Sequence, residues 1–140
     1  MSVPLVSIKG LERHYYMASE TVRALDGADL EIQEGERIIL LGPSGSGKTT
    51  LLNCISALDS PTAGTYTFDG SPVPRNDAEE MTSFRRKNIG YVFQFFNLLQ
   101  DLTVLENIML IQELSGGRDE TRARQLLELV GLIGEVNRFP

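Results

Sequence analysis

The densest chemistry in the chain lies in Gly42-Pro43-Ser44-Gly45-Ser46-Gly47-Lys48-Thr49. The run satisfies G-x-x-x-x-G-K-[ST] at every fixed position. Glycines let successive backbone N–H groups curl around an anion with no Cβ in the way. A helix starting at Lys48 adds the positive end of its dipole. Lys48 brings a mobile ammonium for the outer phosphates of a nucleotide, and the Thr49 hydroxyl can ligate Mg²⁺. The chemistry implied is the grip of a nucleoside phosphate.

Such a loop works only between a strand and a helix. Residues 37–42, Arg-Ile-Ile-Leu-Leu-Gly, form an apolar run with no alternation, which predicts a strand buried on both faces, as in a central parallel sheet. After the loop, Leu51, Leu52, Ile55 and Leu58 recur at helical spacing, predicting a helix from Lys48 to about Leu58. Residues 89–93 predict a second buried strand.

The remaining elements read more simply. Residues 3–11 predict a first strand. Residues 22–25 and 28–33 predict two more, separated by Asp26-Gly27. Residues 65–68 alternate as an edge strand before the turn signal Asp69-Gly70. Asp77 can cap a short helix over 77–86. Thr103 and Glu106 have capping-box spacing for a helix to about Leu114. Residues 119–130 predict a last amphipathic helix.

Composition bounds the class. The chain has 140 residues, one domain by size, with 41 % hydrophobic and 23 % charged residues, an ordinary globular balance. Thirteen Lys and Arg against nineteen Asp and Glu give a net charge of −6, which argues against a nucleic-acid partner. Cys54 is the only cysteine, so no internal disulfide forms, and it reads as a small buried hydrophobe. Residues 38–41 and 108–111 are the longest aliphatic runs, far short of the about 20 residues of a membrane span. A guanine-reading Asn-Lys-x-Asp motif is missing, which argues against a GTPase. Arg85, Arg86, Arg118, Arg122 and Arg124 fall on amphipathic helices, where solvated surface is expected in place of a kinase lid. His14, the only histidine, reads as a surface residue at a strand end.

Several segments together resemble the ATP-binding subunit of an ABC transporter. They are Ala24-Leu25, Leu30-Glu31-Ile32, Glu34-Gly35-Glu36, the loop continuing through Thr50-Leu51-Leu52-Asn53, Leu58-Asp59-Ser60-Pro61-Thr62-Ala63-Gly64, Ile89-Gly90-Tyr91-Val92-Phe93-Gln94, Phe95-Phe96-Asn97-Leu98-Leu99 and Leu102-Thr103-Val104-Leu105-Glu106-Asn107. Within that family the pattern is most similar to the branch of lipoprotein release, macrolide export and FtsX-like permeases. It covers nearly all of the chain and about the first 60 % of a family ATPase domain.

The resemblance implies an α/β P-loop NTPase fold of the ABC ATPase type. An incomplete form is expected: an antiparallel β-subdomain, the start of a parallel sheet, and the start of a helical subdomain. One nucleotide-binding domain would run over 1–140, with the β-subdomain and loop core over about 1–94 and the helical part over about 95–140. The implied nucleotide site comprises Gly42, Pro43, Ser44, Gly45, Ser46, Gly47, Lys48, Thr49 and Thr50, with Tyr15 stacking on adenine and Gln94 as the Q-loop glutamine. Tyr16 competes for the stacking role. Thr49 and Gln94 would hold Mg²⁺, and Thr50 would lie near the α-phosphate. The implied cofactors are ATP and Mg²⁺. The implied partners are an integral membrane permease and a second ATPase subunit in a head-to-tail dimer. The implied location is cytoplasmic, peripheral at the inner face of the cell membrane.

The hydrolytic machinery of the family is expected elsewhere, so no catalytic residue is assigned. Residues 108–111 are followed by Gln112 where a metal-linked Asp should stand, and they read as helix. Leu114-Ser115-Gly116-Gly117 spells the start of the family's signature, but Asp119 and Glu120 would repel an anion from the helix that follows. The pattern therefore reads as the N-terminal part of a longer domain, from a truncated product, a split gene or an expressed fragment. Two other readings remain: a nucleotide-binding remnant without hydrolysis, and a soluble ABC ATPase without a permease.

Overall fold

The computed structural model describes residues 3–140, which form two compact units, one up to Gly90 and the other Tyr91–Pro140. In the first, strand β1 (Val6–Tyr16) pairs with β2 (Thr21–Ile32) and, on its other edge, with β3 (Ala63–Phe68). Strand β4 (Ser71–Pro72) closes the antiparallel order β2-β1-β3-β4. Asp69 and Gly70 make the β3–β4 turn, both at positive φ, as the Asp-Gly pair predicts.

Asp26-Gly27 does not divide β2 as expected. Glu12 pairs with Asp26 and Leu11 with Ala28, so Gly27 is an unpaired bulge residue in one continuous strand. Its φ of 91° is open to glycine, which lets the chain absorb the extra residue without leaving the sheet.

Helix α1 (Lys48–Ile55) packs on the inner face of this sheet. Val6, Ile8 and Leu11 from β1, Leu25 from β2, Tyr66 from β3 and Cys54 from α1 form the core. Each large aliphatic side chain so buried contributes about 1.5–3 kcal/mol. The Tyr66 hydroxyl donates to the Ile55 carbonyl at 2.7 Å, tying β3 to the end of α1. The helix stops before Leu58 because Ala57 is left-handed and the Leu58 and Asp59 N–H groups both turn back onto the Asn53 carbonyl. Helix α2 (Ala78–Asn88) is capped by Asp77, whose carboxylate accepts from the Glu79 and Glu80 N–H groups.

Residues 37–42 and 89–93 are extended and form no ladder with any described residue. They were expected as buried strands. A continuous apolar run becomes a buried strand only where neighbouring strands cover it, and here Ile39 and Leu41 remain more than 80 % exposed, with Val92 at 95 %. The antiparallel part of the expected architecture is therefore formed, while the start of the parallel sheet is present only as sequence.

The second unit holds α3 (Val104–Leu114) and α4 (Glu120–Leu129), followed by a short 3-10 turn (Ile133–Glu135). Leu105 and Met109 pack on Ala123 and Leu127. Thr103 and Glu106 form the reciprocal capping box that their spacing predicts. No helix among the described residues is long and apolar enough to cross a membrane.

Candidate functional site

Residues 43–47 turn the chain from the extended segment into α1. Gly45 and Gly47 have φ of 79° and 92°, and Gly47 is the N-cap of α1. A Cβ on Gly47 would lie 2.5 Å from the Ala24 carbonyl oxygen, and one on Gly42 would lie 2.7 Å from Ser46 Oγ. Gly47 is thus required both by close approach to backbone and by its conformation, while at Gly42 the Ser46 side chain would have to turn aside.

Helix α1 differs from the other α-helices in its N-terminus. Asp77, Thr103 and Asp119 each close their helix with a side-chain oxygen, whereas no side chain caps α1 and no acidic residue stands in its first turn. The first-turn N–H groups of a helix have no intrahelical partner. At α1 they belong to Lys48, Thr49 and Thr50, so the end is left for an external anion.

The Lys48 ammonium folds over the loop. It donates to the Gly42 carbonyl at 2.7 Å, to the Pro43 carbonyl at 2.6 Å and to Ser46 Oγ at 3.2 Å. Beside it opens a depression of about 620 Å³ between Val22–Ala24 of β2 and the loop residues Ser44, Gly45, Gly47 and Lys48 to Thr50. Val22, Arg23 and Ala24 were not expected as lining residues. The only sequence signal was the Ala24-Leu25 pair that carries the family likeness.

Tyr15 sits opposite Val22 in the β1–β2 ladder but does not line this depression. Its hydroxyl donates to Asp59 Oδ2 at 2.8 Å, and the Arg13 guanidinium lies 4.4 Å from its ring centroid. Arg13 Nε also donates to Asp59 Oδ2, at 2.8 Å. Burial alone would raise the Asp59 carboxyl, but hydrogen bonds from Arg13, Tyr15 and the Ser60 N–H bring it below its usual value. Tyr16, the competitor, is exposed at the strand end.

Cys54 is buried as expected, and burial pushes its thiol up to about 11, which makes it a packing group and no nucleophile. Gln94 lies in the second unit, exposed in a turn at 94–95. In the same unit Asn107 closes the loop before α3: its Nδ2 donates to the carbonyls of Leu99, Leu102 and Thr103, and its Oδ1 accepts from the Leu99 N–H at 2.8 Å. Leu114 ends α3, residues 115–117 are turn and loop, and the Asp119 carboxylate caps α4 by accepting from Arg122 N–H at 2.8 Å. That helix end offers no free N-terminus to an anion.

A glycine loop, an open helix end and a lysine in this order are the parts a phosphate-binding loop needs. A family model described as ABC transporter matches residues 25–140. The lipoprotein-releasing system ATP-binding protein LolD of Bacteroides thetaiotaomicron is 40 % identical over 139 residues, covering 97 % of this chain and 62 % of that protein. The macrolide export ATP-binding/permease protein MacB of Psychrobacter arcticus is 38 % identical, covering 98 % of this chain and 21 % of that one. A dimeric post-hydrolysis structure of the ATP-binding cassette MJ0796 bound to ADP and Pi superposes with a TM-score of 0.86 at 39 % identity, over 96 % of this chain and 61 % of that chain. The chain belongs to the ABC transporter family of ATP-binding cassettes. It spans about three-fifths of the length of the LolD relative.

Proposed function

We propose that the chain is the nucleotide-gripping part of an ABC transporter ATPase subunit, which couples ATP binding and hydrolysis to a membrane permease of the lipoprotein-release or macrolide-export kind. The observation that carries this reading is the uncapped N-terminus of α1 behind the Gly47 turn, with Lys48 at its head. The named relatives support the branch: LolD and MacB stand at 40 % and 38 % identity.

In this reading the loop amides of residues 44–49 hold the β-phosphate. Lys48 exchanges its two carbonyl partners for the β- and γ-phosphates, which makes its present bonds a resting position. The Thr50 hydroxyl lies near the α-phosphate. Thr49 Oγ1 is the ligand the loop offers to Mg²⁺, which when bound neutralises phosphate charge; Gln94 is read as the Q-loop glutamine on the sequence pattern of residues 89–94. Tyr15, with Arg13 on one ring face, offers the other to adenine. The loops around residues 94–107, where Phe95 and Phe96 are about four-fifths exposed, meet the permease, FtsX-like in this reading. A second ATPase subunit completes a head-to-tail dimer at the inner face of the cell membrane. No residue of this chain is assigned the activation of water.

A thermal-shift titration tests the reading. Mg·ATP raises the unfolding midpoint of the wild-type chain and leaves that of Lys48→Ala unmoved. Equal shifts in the two proteins, or no shift in either, overturn it.

A further inference from the structure

On the β1–β2 ladder three ligand-type side chains converge. Glu12 and His14 lie two residues apart on β1 and share a face. Asp26 is the register partner of Glu12 on β2. His14 Nε2 is 3.2 Å from Asp26 Oδ1 and 3.8 Å from Glu12 Oε2, and one donor atom from each of the three residues lies within 4.8 Å of the others.

We infer that Glu12, His14 and Asp26 form a divalent transition-metal site, selective for Zn²⁺. Around zinc bound at about 2.0–2.1 Å, tetrahedral ligand atoms stand about 3.3 Å apart. The two distances from Nε2 bracket that spacing, so small side-chain adjustments admit the ion. Charge favours it as well. Like charges placed directly opposite each other in an antiparallel pair are destabilising, and Glu12 faces Asp26. A dication between them removes the repulsion.

The ring is held, since the His14 side chain is only 13 % exposed, while the Asp26 side chain is 55 % exposed and leaves the fourth position to water. Zinc takes the place of the Nε2 proton, which passes to solvent. An imidazole nitrogen beside two carboxylates suits Zn²⁺ over Mg²⁺, which prefers oxygen alone. One group opposes binding: Arg23 Nη1 lies 3.6 Å from Asp26 Oδ2 and competes for that carboxylate.

His14 is the only histidine, so its ring nitrogens can be followed without ambiguity in the full chain labelled with ¹⁵N-histidine. Zinc chloride added without nucleotide shifts the Nε2 resonance and saturates at one ion per chain. Calorimetry gives binding at least ten-fold weaker in His14→Ala and in Asp26→Asn, and tighter binding in Arg23→Ala. Equimolar magnesium chloride does not displace the zinc. Circular dichroism confirms that each variant is folded. An unmoved Nε2 resonance, or zinc heats unchanged in folded His14→Ala and Asp26→Asn, overturns the inference and leaves a histidine beside two carboxylates.

Discussion

The Lys48 ammonium donates to the Gly42 carbonyl at 2.7 Å, across the loop whose amides lie ready for an anion. The same side chain therefore holds the loop closed and carries the charge a phosphate would seek. Removing it has two separable effects. Lys48→Ala loses three hydrogen bonds at an exposed site. Its stability cost is on the order of 1 kcal/mol. Its loss of Mg·ATP affinity is at least ten-fold. Chemical denaturation beside fluorescent-nucleotide binding separates the two; equal affinity in wild type and variant contradicts the assigned role.

Gly47→Ala forces a Cβ to 2.5 Å from the Ala24 carbonyl oxygen at a φ of 92°. Left-handed strain alone costs about 1–3 kcal/mol, and the contact with β2 adds to it. A denaturation midpoint lowered for both variants, and clearly further for Gly47→Ala than for Gly116→Ala, is expected. Gly116 also has positive φ but nothing near its would-be Cβ, so the difference isolates the contact.

Asp59 links stability to pH. Its folded value lies below the ordinary one of about 4. A depressed carboxylate contributes fully above the unfolded value, and that contribution is lost as pH falls through the folded value. On acidification below about pH 4 the wild type loses stability more steeply than Asp59→Asn, which has no carboxylate to protonate. Thermal midpoints measured at stepped pH check this; parallel slopes contradict it. Tyr15→Phe removes one bond to Asp59 while keeping the ring. It flattens the acid limb but keeps nucleotide affinity, whereas Tyr15→Ala lowers both.

The exposed run of residues 38–41 makes the isolated chain prone to self-association. Ile39 and Leu41 are 82 % and 84 % exposed on a segment with unpaired backbone groups, a template for edge pairing. Analytical ultracentrifugation of the wild type shows concentration-dependent oligomers that Ile39→Lys with Leu41→Lys reduces. A wild type that stays monomeric at the highest concentration contradicts this.

What could be read from residues alone followed locality. The loop, its glycines and the caps at Asp77 and Thr103 are fixed by neighbours within four positions, and each is where its spacing places it. Residues 37–42 failed as a strand because strand formation depends on distant partners, which a pattern of apolar residues implies but does not supply. Gly27 misled because a glycine that breaks a strand and one that bulges it look alike until the pairing strand is known. The Arg13–Asp59–Tyr15 cluster joins residues 44 to 46 positions apart. Alternation on β1 puts Arg13 and Tyr15 on one face, but nothing local points to Asp59.

Asn107 shows the same limit from the other side. It stood in the family-like Leu-Glu-Asn segment without a role, and it proves to tie the loop before α3 through both ends of its amide. Asn107→Ala leaves several backbone groups of residues 99–103 without that partner, at about 1–3 kcal/mol. Faster amide hydrogen exchange confined to residues 99–103 is expected; unchanged exchange there contradicts it.

The most direct measurement is isothermal titration of the folded chain with ATP in the presence of magnesium. Saturable binding at one nucleotide per chain, abolished by Lys48→Ala and retained in Cys54→Ala, is the expected result. A folded wild-type sample that releases no heat of binding with ATP and magnesium contradicts the grip of residues 42–49 on a triphosphate.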